Sequence, residues 1–252
     1  MANPNTGRFT WHELVTRDPE AATKFYTGLF GYKVQETDGG PAGKYRMLMQ
    51  GDRPVGGMMQ APPNVPSGWL VYVGVEDVDA AAKKITELGG KVMVPPTEVP
   101  KMVRFACGSD PQGAAFGIMK GIGEGGDMPL DDGPPRPGTF CWDELATKDL
   151  AAAKTFYAGL FGWGGKGGDK EYWHWSTAGK EIGGMMSLPM PNVPPHWLAY
   201  LAVSDVDGTT KKARELGAKV LLEPKEMEKV GKFSVLQDPT GATFALFRSA
   251  RV

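Results

Sequence analysis

The stretch Phe9-Thr-Trp-His-Glu-Leu-Val-Thr-Arg-Asp18 returns about 130 residues later as Phe140-Cys-Trp-Asp-Glu-Leu-Ala-Thr-Lys-Asp149. Outward from it the register holds: Ala21-Ala22, Phe25-Tyr26 and Gly28-Leu-Phe-Gly31 recur as Ala152-Ala153, Phe156-Tyr157 and Gly159-Leu-Phe-Gly162. Further on, Gly56-Gly-Met-Met59 meets Gly183-Gly-Met-Met186, and Pro63-Asn-Val-Pro66 meets Pro191-Asn-Val-Pro194. Trp69-Leu-Val-Tyr72 meets Trp197-Leu-Ala-Tyr200, and Asp110-Pro-Gln-Gly113 meets Asp238-Pro-Thr-Gly241. Self-similarity kept over a whole half-chain is the mark of duplication, so the two halves are expected to share one fold.

Within the first half the pattern is strand, helix, then short strands, run through twice. Residues 9–15 alternate as a strand; Asp18 has the side chain of a helix N-cap and Pro19 suits the first helical position. Ala21, Ala22, Phe25, Tyr26 and Leu29 form an apolar helical stripe that Gly31 stops. Strands fit about 44–50 and 54–60 around a turn at Gly51-Asp52. The cycle restarts with a strand at 69–75 and a helix from Asp77, whose face carries Val78, Ala81, Ala82, Ile85 and Leu88 and whose stop is Gly89-Gly90. Strands near 91–95, 102–108 and 113–119 close the half, which predicts two βαβββ modules per half.

The segment 121–138, rich in glycine, proline and acid, can hold neither a helix nor a central strand and reads as the linker between domains at 1–120 and 139–252. Gly121, Gly123 and Gly126 spell GxGxxG, but Pro129, Pro134 and Pro135 leave no helix to aim its N-terminus at a pyrophosphate.

A chain of 252 residues has length for two compact cores. With 28 basic against 29 acidic residues there is no cationic excess for a nucleic-acid backbone or an anionic bilayer, and neither partner is expected. No apolar run approaches the ~20 residues of a bilayer span. The start of the chain lacks a signal-like apolar region. Cys107 and Cys141 sit in no ligand-spaced cluster and read as reduced, buried thiols, which suits a cytoplasmic location and a monomer or homodimer.

Asp18 followed by Phe25-Tyr26 and Leu29-Phe-Gly31, the strand ending Val75-Glu-Asp-Val-Asp79, and the closing Asp110-Pro-x-Gly113 resemble the vicinal oxygen chelate superfamily of glyoxalases, bleomycin-resistance proteins and extradiol dioxygenases. Each feature recurs in the second half, at Asp149 with Phe156-Tyr157, Val203-Ser-Asp-Val-Asp207 and Asp238-Pro-Thr-Gly241. The Trp-x-Glu-Leu-x-Thr opening and the Gly-Gly-Met-Met strand resemble the two-domain mycobacterial 27 kDa antigen (CFP30B) group. The resemblance implies an α+β fold of two tandem glyoxalase-like domains, with curved, mostly antiparallel sheets around a cavity.

Members that do metal chemistry place a histidine or glutamine on a module's first strand and a glutamate on its last. Carried over by distance from the helix-capping Asp and from the Asp-Pro-x-Gly turn, those positions are Trp11, Leu70, Trp142 and Leu198, and Gly117 and Ala245. None is a ligand, so no metal and no other cofactor is expected. His12, His174 and His196 do not match between the repeats; each is expected in a polar surface or core role, with His12 turned away from Trp11 and Glu13 by strand alternation.

By the family register, Trp11 and Glu13, and Trp142 and Glu144, face the cavity. A glutamate among apolar groups must be paired or used. Glu13 and Glu144 are therefore candidate hydrogen-bonding or catalytic carboxylates, or structural acids held by Arg104 or Lys232. Tyr72 and Tyr200 share the parity of Leu70 and Leu198. With Met59 and Met186 they are candidate ligand contacts, to which Tyr45, Tyr172, Met58, Met185, Trp173 and Trp175 add aromatic and polarizable surface. Three functions follow from this inventory. The chain is expected to bind a small hydrophobic or aromatic molecule without metal; the alternatives are a glyoxalase- or oxygenase-type enzyme using a pocket glutamate as base, and a degenerate scaffold.

Overall fold

The computed structural model describes residues 3, 5–38, 43–123, 127, 130, 133–167 and 172–250. In the first half, β1 (Phe9–Thr16), α1 (Pro19–Phe30), β2 (Lys33–Asp38), β3 (Lys44–Gln50) and β4 (Arg53–Gln60) form one βαβββ module. A second follows in β5 (Gly68–Gly74), α2 (Val78–Glu87), β6 (Lys91–Val99), β7 (Val103–Ser109) and β8 (Ala115–Gly121). The second half repeats them as β9 (Phe140–Thr147), α3 (Leu150–Phe161), β10 (Gly164–Lys166), β11 (Trp173–Thr177) and β12 (Lys180–Ser187). It ends with β13 (His196–Ala202), α4 (Val206–Glu215), β14 (Lys219–Met227), β15 (Gly231–Gln237) and β16 (Thr243–Ser249). Part of the expected linker, residues 124–126, 128–129 and 131–132, lies outside the described residues.

The helix signals act as expected. Asp18 accepts a hydrogen bond from the Ala21 amide at 2.9 Å, Pro19 opens α1, and Gly31 closes it in the left-handed conformation at φ 73°. Asp149 and Gly162 do the same for α3. Strand β2 is the element that hydrophobic patterning did not place. It is polar and exposed along nearly its whole length, so no period-two signal survives in its sequence.

Each half forms one eight-stranded sheet, in the orders β2-β3-β4-β1-β5-β8-β7-β6 and β10-β11-β12-β9-β13-β16-β15-β14. The first and last strands of the modules pair in parallel, β1 with β4, β5 with β8, β12 with β9 and β13 with β16. β2 with β3, β3 with β4, β6 with β7 and β7 with β8 pair antiparallel, as do β10 with β11, β11 with β12, β14 with β15 and β15 with β16. Among the described residues no helix is long and apolar enough to cross a membrane.

Compact packing does not follow the halves. One unit comprises Met1–Thr10, Leu70–Asp132 and Trp142–Trp197; the other comprises Trp11–Trp69, Gly133–Cys141 and Leu198–Val252. In the latter, Phe25 and Tyr26 of α1 stack edge-on or tilted against Phe244 of β16, with ring centroids 6.0 and 5.8 Å apart. The buried Tyr26 hydroxyl accepts from Trp69 Nε1 at 2.8 Å and donates to Asp238 Oδ2 at 3.0 Å. The other oxygen of Asp238 accepts the amides of Thr240 and Ala242 and so closes its own turn. The same arrangement recurs in the other unit, where Tyr157 accepts from Trp197 at 3.0 Å and donates to Asp110 at 3.2 Å. Burial, reinforced by the facing aspartate, raises both phenols well above their ordinary pKa, so they remain donors. The recurring Phe-Tyr, Trp and Asp-Pro-x-Gly motifs are thus one buried network. Repeated glycines serve the same packing: Gly28 lies under Leu216 and Gly159 under Leu88, where a β-carbon would stand 3.3 and 3.2 Å from the leucine.

Candidate functional site

Strand register decides which side chains meet. In the first half Glu13 of β1 and Met47 of β3 are both opposite Gly57 of β4, so Trp11, Glu13, Tyr45, Met47 and Met59 share one sheet face. The Tyr45 ring reaches across Gly57, where a β-carbon would sit 1.8 Å from the phenolic oxygen; only glycine leaves room. There the hydroxyl accepts a hydrogen bond from Trp11 Nε1 at 3.0 Å and bonds the carboxylate of Glu13, itself only 8 % exposed. Burial first, and the Glu13 charge second, raise the Tyr45 pKa well above its ordinary value. The phenol therefore stays protonated and donates to Glu13, giving a directional chain of indole, phenol and carboxylate.

The second half builds the same chain. Trp142 Nε1 donates to the Tyr172 hydroxyl at 2.8 Å, and Tyr172 bonds Glu144, which is 9 % exposed. Burial and Glu144 again push the phenol up. Gly184 takes the part of Gly57, with a hypothetical β-carbon 1.9 Å from the Tyr172 hydroxyl. Opposite Gly184, in the place of Met47, stands His174. Its ring lies 5.0 Å from Tyr172 and 6.0 Å from Trp142. Its Nδ1 lies 3.4 Å from Glu181 Oε2, an ion-pair contact rather than an aligned hydrogen bond. Glu181 is paired at 2.6 Å with Lys166, whose hydrogen bond holds its carboxyl below the usual range.

The remaining expected residues are distributed as follows. Met59 and Met186 lie on the faces of Glu13 and Glu144, whereas Met58 and Met185 are fully buried on the opposite faces. Tyr72 is buried over Gly117, with its hydroxyl 3.4 Å from Cys107 Sγ. Tyr200 is buried opposite Ala245 and beside Phe233 and Phe247. Three expectations are corrected. Trp173 and Trp175 alternate with His174 and so face away from Glu144: Trp175 is buried against Tyr157 and Trp163, and Lys154 sits 3.9 Å over Trp173. Arg104 and Lys232 are committed to Asp79 and Asp207 in the first turns of α2 and α4. His174 lies on the Glu144 face, part-exposed beside Glu181. Cys141 is half-buried rather than buried. His12 does turn away from Trp11 and Glu13, stacking on Phe140 at 3.8 Å. A cleft of about 330 Å³ at the start of α1, lined by Arg17, Asp18, Glu20, Lys44, Arg46 and Gln60, is spanned by ion pairs of Arg46 with Glu20 and Glu36.

Residue reading missed the roles of Gly57, Gly184 and His174 and the tyrosine–glutamate bonds. The recurring Gly-Gly doublet was the available signal for the first two.

The family model for the glyoxalase/bleomycin resistance protein/dioxygenase superfamily matches residues 8–118, and that for a glyoxalase-like domain matches 139–247. CFP32 of Mycobacterium tuberculosis, which carries a provisional glyoxylase name, is 35 % identical over 97 % of this chain and 95 % of its own. This chain belongs to that superfamily. Anthracycline biosynthesis protein DnrV of Streptomyces peucetius is 32 % identical over 95 % of this chain and 92 % of its own. Among solved structures, the Mn(II)-bound glyoxalase of Novosphingobium aromaticivorans superposes with a TM-score of 0.67 at 14 % identity, covering 96 % of this chain and 82 % of its own. At that identity the likeness is one of fold.

The residues of this superfamily member do not fit the metal that the Mn(II)-bound protein holds. At the carried positions stand Trp11, Leu70, Trp142, Leu198, Gly117 and Ala245. A β-carbon at Gly117 would lie 2.2 Å from the Tyr72 ring, so that ring fills the space a glutamate there would need. Among the described residues no group of three or more His, Cys, Asp or Glu could hold a metal ion.

Proposed function

We propose that this chain binds planar aromatic alcohols at the sheet faces of Glu13 and Glu144, without the superfamily's metal. The observation that carries the reading is the Trp–Tyr–Glu chain, built twice over a glycine that leaves room for the tyrosine. In this reading Glu13 and Glu144 are the acceptors for a ligand hydroxyl, since a carboxylate can accept more than one hydrogen bond. The phenol bond aims the carboxylate, and the indole supplies a flat apolar wall beside it. Met59 and Met186 on the same faces give surface that adapts to differing ring systems. The relative named for anthracycline biosynthesis points the same way, since anthracyclines are hydroxylated fused-ring aromatics.

The test uses 2-naphthol as probe, with binding followed by calorimetry and by quenching of the tryptophans beside the acids. The full chain should bind it, and Glu13→Gln with Glu144→Gln should weaken binding about tenfold or more at unchanged melting temperature, because the amide keeps the shape but loses the charge. Dialysis against EDTA should leave both affinity and melting temperature unchanged. The reading is overturned if 2-naphthol does not bind, or if a stoichiometric metal proves necessary for binding. It is equally overturned if Glu→Leu at both positions lowers the melting temperature while affinity stays the same, which would make the acids architectural.

A further inference from the structure

We infer that Arg46 positions the Glu13 face from behind: it fastens the edge strand β2, which carries Lys33, Gln35 and Thr37 onto that face. The register fixes both sides of the strand. Thr37 and Gln35 stand opposite Tyr45 and Met47, and Lys33 opposite Met49, so these side chains extend the surface of Trp11, Glu13 and Tyr45. Arg46, between Tyr45 and Met47 in β3, lies on the reverse face, opposite the buried Met58. It is a positioning residue, acting through β2 and touching no ligand.

Little else holds β2. It is the outermost strand of its sheet, paired with β3 alone, and none of its six residues is buried. A polar edge strand of this kind gains almost nothing from burial. The side chain of Arg46, by contrast, is only 6 % exposed, and its guanidinium joins carboxylates from two other elements. One is Glu20 in the first turn of α1; the other is Glu36, directly opposite in β2, at 2.8 Å. Lys44 adds a second bond to Glu36, also at 2.8 Å. A buried guanidinium that loses a carboxylate is left with uncompensated charge, so any motion that lifts β2 from the sheet carries that cost. The second half has no counterpart to this clamp. Trp173 stands where Arg46 does, opposite Met185 as Arg46 is opposite Met58, and Ala151 stands where Glu20 does. There Lys154 sits over the Trp173 ring instead. The fastening therefore belongs to the Glu13 face alone.

Hydrogen exchange of the full chain tests the fastening. In Arg46→Met, the amides of residues 33–38 that bond β3 should exchange about tenfold faster or more, the scale of one charge-assisted bond, while β11 and β12 keep their rates. Glu36→Gln should do the same and replaces the first variant if that one folds poorly. The consequence for the site rests on the proposed function and is read by calorimetry with 2-naphthol. Arg46→Met should weaken binding about threefold or more when combined with Glu144→Gln, which leaves the Glu13 site, because the ligand must then order β2 as it binds. Combined with Glu13→Gln, which leaves the Glu144 site, it should change nothing. Unaltered exchange at 33–38 in both variants overturns the inference. So does a rise shared by β11 and β12, or an equal loss of affinity in both combinations, since either marks general loosening. If the unaltered chain binds no 2-naphthol while exchange rises at 33–38 alone, the proposed function falls and the fastening of β2 by Arg46 stands.

Discussion

Two adjacent glycines do opposite jobs at the sheet beside Glu13. Gly57 leaves space for the far end of the Tyr45 side chain, whereas Gly56 lies against backbone, a β-carbon there meeting the His12 carbonyl oxygen at 2.8 Å. Gly57→Ala should therefore displace Tyr45, with modest loss of stability but loss of the bonds to Trp11 and Glu13 and hence of 2-naphthol binding. Gly56→Ala must move a strand and should destabilise the fold by about 1–3 kcal/mol, the range for overpacking. Urea denaturation and calorimetry on the two variants would show the reversal. Equal stability losses for both would contradict the assigned roles. Doubled Trp-x-Glu and doubled Gly-Gly were both visible as strings, but that one supplies the hydrogen-bonding end and the other the room for a tyrosine from a third strand depends on register.

At the scale of elements, helices α1 and α3 are anchored by their tyrosines. Replacing Tyr26 by Phe keeps the ring against Phe244 but strands the Trp69 indole N–H and leaves Asp238 Oδ2 without its buried donor. The expected loss is about 1–3 kcal/mol, and Tyr157→Phe should lose a similar amount through Trp197 and Asp110. By comparison Asp18→Ala removes one exposed capping bond and should cost ~1 kcal/mol. Chemical denaturation of the three variants tests the order; a cap loss larger than the tyrosine losses would show that the network contributes little. Helix ends were legible because capping is local: Asp18, Pro19 and Gly31 announce α1 without reference to anything distant. β2 was not legible, since an exposed edge strand needs no apolar alternation.

For the molecule as a whole, the stripe of α1 finds its partner ring, Phe244, in the other half of the chain. A fragment ending at residue 120 should therefore fail to show a cooperative thermal transition, while co-expression with residues 121–252 should restore one. A fragment that melts cooperatively on its own would contradict this. Acid should weaken the fold for a separate reason. Hydrogen bonds from Lys44 to Glu36, Thr6 to Glu76, Arg104 to Asp79, Lys166 to Glu181 and Lys232 to Asp207 hold those carboxyls below their ordinary pKa. A lowered folded-state pKa contributes stability above the unfolded value and loses it as pH falls through the folded one. Asp110, raised by burial, works in the opposite direction, protonation there relieving the desolvation. With five carboxyls against one, the melting temperature should drop below about pH 4. Added salt should flatten that drop because most of these pairs are exposed.

The sequence by itself determined the duplication, the order of strands and helices apart from β2, the helix limits and the family, because each is written in local spacing or in repeats that need no third dimension. It also put Trp11, Glu13, Trp142 and Glu144 on common strand faces, since alternation along a strand is geometric. Only the tertiary structure decided that Tyr26 is tied to Asp238 and Tyr157 to Asp110, pairings of residues far apart in the chain that no periodicity encodes. It alone brought Tyr45 across Gly57 to Glu13. It also put His174 opposite Gly184, where a one-residue slip in register would have turned the imidazole to the other face and brought Trp173 or Trp175 into its place.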